Sequence, residues 1–244
     1  MIVIIGETHD DILYFDSVLA NKREETILEK YKVSIGTIFS QEALIASYLF
    51  SSSLSSAILM NILDNYYVDL IISVGRCMSI SKGIKNGDII VSKKVIDANV
   101  DLTMFESVVV GQIPGFDRDF LVQEDIISYL SKGLERRISI NYHHGTFLSS
   151  NNMSQEMCEH LKNRKELFGL DNELLAIDQN SAGVAVACKL KGVPFVVAKV
   201  VENDLSIANN LQSYVNVLDK YIDLGKAVIS TINDISRSDI LEGD

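Results

Sequence analysis

The sequence predicts a layered α/β protein. Three observations carry this: short apolar runs rich in β-branched residues (Met1 to Ile5, Val68 to Ile72, Val193 to Val201), stretches of helical spacing between them, and glycine or small polar residues where the runs end. Continuous apolar runs are the pattern of strands buried on both faces, and ligands of such folds collect at the C-terminal strand ends.

In chain order, Met1 to Ile5 reads as the first strand, with Gly6 as its turn. Asp10 to Leu19 has helical spacing with acids in the first turn, where they favour the helix dipole, so Asp11 falls just past a strand end. Tyr31 to Phe39 and Ala43 to Phe50 read as an antiparallel pair about a turn at Ser40 and Gln41. Leu54, Ile58, Ile62 and Leu63 recur at helical spacing behind a serine-rich start. Val68 to Ile72 delivers Gly75 to a pocket, and Asp88 to Ser92 returns as another strand through a hairpin-like connection at Gly83 and Gly87. The segment Gly111-Gln112-Ile113-Pro114-Gly115 is a turn-rich loop.

Val122 to Leu134 is helical in period, and Ile138 to Ser149 reads as a strand through His143 and His144, one of which should face the core. Neither histidine is assigned a catalytic role. Ser154 caps a helix to Lys165, Leu174 to Asp178 is a short strand, and Ala182 to Leu190 is a close-packing helix. Val193 to Val201 ends in Glu202-Asn203-Asp204, followed by a long helix from about Leu205 to Ile232.

The 244 residues are 47% hydrophobic and 23% charged, with no linker-like shift in composition, which predicts one domain over 1–240 and a frayed tail at 241–244. A net charge of -11 argues against a nucleic-acid or anionic-membrane partner, since either would need a basic patch. The apolar start is too short for a signal peptide or a membrane span. Cys77, Cys158 and Cys188 stand at no metal-ligand spacing, so the expectation is a reduced, cytoplasmic protein, with Cys77 a small buried filler.

The order and spacing of MIVIIG, DLIISVG with IKNGDIIVS, VVVGQIPG, GTFLSSN and GVPFVVAKVVEND resemble the 5'-methylthioadenosine/S-adenosylhomocysteine nucleosidases of the purine nucleoside phosphorylase superfamily, over nearly the whole chain. The resemblance implies three layers around a central mixed, partly closed β-sheet flanked by helices. It also implies a homodimer, a purine nucleoside or adenine as ligand, no metal and no cofactor. Cleavage of a purine N-glycosidic bond needs an acid to protonate or hydrogen-bond the leaving base, a carboxylate to activate water, and a carboxylate on the ribose hydroxyls.

Residue by residue, this chain departs from that pattern. The water-activating glutamate falls on Asp11, which keeps the charge with a shorter reach. The ribose-binding Met-Glu pair falls on Gln179 and Asn180, and the purine-protonating aspartate on Asn203, so two carboxylates have become amides. The glycine-serine turn becomes Gly75-Arg76-Cys77, and the aromatic that stacks on the purine becomes Met153. The loop Ser149 to Ser154 is retained, as are Phe105 and Pro114, which in the family line the alkylthio pocket of the neighbouring subunit.

The resemblance therefore implies a nucleoside-binding protein whose hydrolysis is weakened or altered. A catalytically inactive dimeric binding protein, or a phosphorylase holding phosphate on Arg76, are the alternatives. An ion pair is the other expectation for Arg76. Glu202 and Asp204 flank Asn203, but the uninterrupted Val193 to Val201 match predicts that Asn203, and neither acid, faces the pocket. A β-bulge would reverse that.

Overall fold

A computed structural model describes residues 1–105, 107–137, 140–170, 172–203 and 211–237. Among the described residues ten strands and six α-helices follow one another as β1 (Ile2–Ile5), α1 (His9–Val18), β2 (Ala20–Ile27), β3 (Tyr31–Ile38), β4 (Gln41–Ala46), α2 (Ser52–Asn65), β5 (Leu70–Ser79), β6 (Ile89–Asp97), β7 (Phe120–Leu121), α3 (Glu124–Glu135), β8 (Tyr142–Ser149), α4 (Gln155–Asn163), β9 (Leu175–Asp178), α5 (Ser181–Lys191), β10 (Phe195–Asn203) and α6 (Leu211–Ile235).

The strands form one mixed sheet in the order β10-β6-β8-β9-β5-β1-β4-β3-β2, with β7 paired to β6 off this path, and a further pairing of β10 with β5 closes the first five into a barrel. The sheet is thus partly closed, as the resemblance implied. Burial explains the closure. Ile2 to Ile5, Leu70 to Ile72 and Val196 to Ala198 are nearly or fully inaccessible, and helices α2 with α5, and α1 and α3 with α6, flank the sheet. Helix α5 lies so near the start of α2 that a Cβ on Gly183 would stand 2.0 Å from the Ser52 carbonyl oxygen, so only glycine permits that approach. Among the described residues no helix is long and apolar enough to cross a membrane.

Several local expectations need correction. The segment between β5 and β6 is not a hairpin: β10 lies between them, parallel to β5 and antiparallel to β6, a pairing that strand periodicity alone does not specify. Strand β2 went unread because it is an exposed edge carrying Lys22, Arg23, Glu24 and Glu25, charges that protect an edge while erasing the apolar alternation. Strand β4 ends at Ala46, before Tyr48 turns to φ +69°. Neither His143 nor His144 enters the core: both are half-buried, His143 facing Asp88 at 3.1 Å and His144 facing Ser131 Oγ at 2.8 Å. Strand β8 begins at Tyr142, α6 runs to Ile235, and the expected tail at 241–244 lies outside the described residues.

Candidate active site

Strands β1, β5, β9 and β10 direct their C-terminal ends to one region, because β1 and β10 both run parallel to β5 and β9 pairs with its far end. A cavity of about 260 Å³ opens there. Phe50, Met78 and Met153 give it an apolar side, and Glu7, Arg76, Gln179 and Glu202 a polar one. Thr8, Cys77 and Asp178 complete the lining.

Arg76 organises the polar side. Its Nη1 donates to both Glu202 carboxylate oxygens at 3.3 Å, its Nη2 donates to Thr8 Oγ1 at 3.2 Å, and Nη2 lies 3.7 Å from Asp11 Oδ1. Asp11 is 3% exposed and sits one contact behind Arg76. Its Oδ2 accepts from the Thr8 N–H at 2.7 Å, closing the first turn of α1, so the acid serves as a helix cap as well as facing the guanidinium. Gly75 makes room for it: at φ +137° a Cβ there would lie 3.2 Å from Asp11 Oδ2. Gly75→Ala is expected to cost about 1–3 kcal/mol from strain at this backbone geometry. Denaturant unfolding measures this, and an unchanged midpoint would show that the position tolerates a side chain.

Beneath the cavity lies a second polar group. Lys199 is 0% exposed. Its Nζ donates to Glu7 Oε1 and Asn180 Oδ1, each at 2.7 Å, and forms an ion pair with Asp178 Oδ2 at 2.6 Å. Burial opposes the lysine's charge, but Asp178 and Glu7 outweigh it and hold the ammonium above the usual lysine range. Burial pushes Glu7 up, with Lys199 offsetting only part of that effect. Asp178 Oδ1 accepts from Ser181 N and Oγ at 3.3 and 2.6 Å, tying the carboxylate to the start of α5. Burial likewise pushes the Cys77 thiol up, which makes it a packed, unreactive group.

Of the residues singled out from sequence, Arg76, Met153 and Gln179 meet at the cavity, with Asp11 directly behind. Asn180 does not reach it. Fully buried, its amide accepts from Lys199 and donates to the Leu49 carbonyl at 3.0 Å. Ser154 caps α4 through its hydroxyl, which accepts from Met157 N at 3.2 Å, and it does not line the cavity. Phe105, 54% exposed, and Pro114, also exposed, lie outside this chain's cavity.

The end of β10 departs from the uninterrupted alignment. The pairing with β5 shifts register between Val201 and Asn203, and Glu202 lines the cavity. Asn203 stands opposite Met78 in the ladder, and its side chain lies outside the described residues, as does Asp204. Sequence reading passed over Glu7, Asp178 and Lys199. The available signal was Lys199 itself, since a lysine inside an apolar strand requires buried partners.

Comparison with known proteins agrees with this architecture. A family model described as "Phosphorylase superfamily" matches residues 1–232. A 5'-methylthioadenosine/S-adenosylhomocysteine nucleosidase of Buchnera aphidicola subsp. Acyrthosiphon pisum (strain APS) is 29% identical over 180 residues, 74% of this chain and 75% of that protein. The solved nucleosidase of Colwellia psychrerythraea 34H in complex with adenine superposes with a TM-score of 0.83 at 20% identity, covering 95% of this chain and 94% of the other. The Neisseria meningitidis nucleosidase in complex with methylthio-immucillin-A gives a TM-score of 0.82 at 17% identity, covering 96% and 98%.

Proposed function

The chain belongs to the phosphorylase superfamily, and from that premise we propose that its cavity binds an adenine nucleoside of the methylthioadenosine type and hydrolyses its N-glycosidic bond with attenuated activity. The observation that carries this reading is the open cavity at the strand ends, where Met153 and Phe50 offer apolar faces to a base beside the polar groups of Gln179, Arg76 and Glu202.

Asp11 holds the place of the water-activating carboxylate but stands behind Arg76 and off the cavity, so it could reach a water only if that guanidinium moved, and Asn203 is the group that orients the purine. An amide hydrogen-bonds a ring nitrogen but delivers no proton, and losing a general acid costs about 10²–10⁴ in rate. Glu202 meets the cavity as half of an ion pair with Arg76, so a donor role for it would first require that pair to open. The same engagement argues against phosphorolysis: a phosphate on Arg76 would have to displace two carboxylates.

The exposed apolar residues Met104, Phe105 and Val109 support a homodimer that covers this loop, and the three free cysteines fit a reducing, cytoplasmic setting. Thermal unfolding with ligand tests the binding reading. Adenine and methylthioadenosine, each at about a hundredfold over Kd, are expected to raise Tm by several degrees. Absence of any shift with either compound would remove a nucleoside from this cavity.

A further inference from the structure

The resemblance places the ribose-binding carboxylate at residue 180, where this chain has an amide with both polar ends committed inside the protein, to Lys199 and to the Leu49 carbonyl. If the cavity takes a nucleoside, some other group must accept its hydroxyls. Three described carboxylates line the cavity: Glu7, Asp178 and Glu202. Asp178 spends one oxygen on Ser181 and the other on Lys199, and Glu202 turns both oxygens to Arg76. Among the described residues Glu7 is held through Oε1, by Lys199 at 2.7 Å.

We infer that Glu7, at the end of β1, supplies the carboxylate that accepts hydrogen bonds from the ligand's sugar hydroxyls, replacing from a different strand the group absent at Asn180. The inference rests on the nucleoside reading of the cavity. Lys199 fixes one oxygen from below and leaves the other for the ligand, an arrangement in which the lysine is a positioning residue and never meets the ligand itself. Physical chemistry supplies the drive. Glu7 is 5% exposed and burial pushes its carboxyl up, so an ionised Glu7 lacks solvation that two hydroxyl donors would restore. A free base carries no such hydroxyls and gains nothing from it.

Glu7→Gln tests this, because the amide oxygen still accepts from Lys199 while the charge is lost. Kd for methylthioadenosine and for adenine would be measured by calorimetry on wild type and variant. The expected result is a weakening of about tenfold or more for methylthioadenosine, the size of a lost charge-assisted hydrogen bond, with adenine unchanged to within roughly twofold. Should Glu7→Gln fail to fold, Glu7→Asp keeps the charge on Lys199 and shortens the reach, and the same selective loss is expected. Equal affinity of wild type and variant for methylthioadenosine would overturn the inference and leave the cavity reading intact. Parallel loss of both ligands would assign Glu7 a purely structural role. Failure of wild type to bind either ligand would instead refute the nucleoside cavity, and the role of Glu7 with it.

Discussion

Lys199→Met is expected to destabilise the fold by about 3–5 kcal/mol at neutral pH, the range found when one partner of a buried ion pair is removed. The side chain is fully inaccessible, and its loss would leave Glu7 and Asp178 facing each other without the ammonium between them. The pH dependence separates this from lost packing. Deprived of Lys199, Glu7 would lose the cation that offsets part of its burial and stand higher above its unfolded value. Its protonated form is then favoured in the fold, and the deficit shrinks as pH falls toward the ordinary carboxylate range near about 4. Urea unfolding of wild type and variant between neutral and acid pH measures this. A deficit below about 1 kcal/mol, or one that does not change with pH, would mean that the carboxylates do not need the lysine.

Asn203→Asp is expected to raise the rate of adenine release from methylthioadenosine by about 10²–10⁴, the contribution of a placed general acid. Asn203 ends β10 directly after the register shift, opposite Met78. The gain should appear in kcat more than in KM, because a proton delivered to the departing base stabilises the transition state and leaves ground-state binding little altered. No gain, with the variant folded and still binding adenine, would show that the register shift has carried position 203 away from the base and that Glu202 now occupies the corresponding place.

Strand ends at the site were legible where an apolar run stops at a glycine or a polar residue, Gly6 after Ile5 and Asp178 after Ile177, but β5 continues past the expected end at Gly75 to Ser79 because β10 pairs with it there. Arg76 was legible as a charge following an apolar run, although it sits within β5 opposite Val200, and its pairing with Glu202 and Asp11 follows from the rule that a partly buried arginine finds carboxylates. Two features were hidden. Glu7, Asp178, Asn180 and Lys199 converge from three strands, with Glu7 and Lys199 separated by 192 positions, so no local pattern joins them. The turning of Glu202 into the cavity depends on β10 pairing on both edges, with Gly87 N donating to the Val201 carbonyl and Asn86 Nδ2 to the Glu202 carbonyl. A sequence alignment without gaps carries no record of such a shift.

The most direct test of the account is the rate at which purified wild-type protein releases adenine from methylthioadenosine, measured beside a family member that carries aspartate at the position of Asn203. The account predicts bound nucleoside and turnover slower by at least about 10². Turnover equal to that of the aspartate-containing enzyme would contradict it and make Glu202 the working acid.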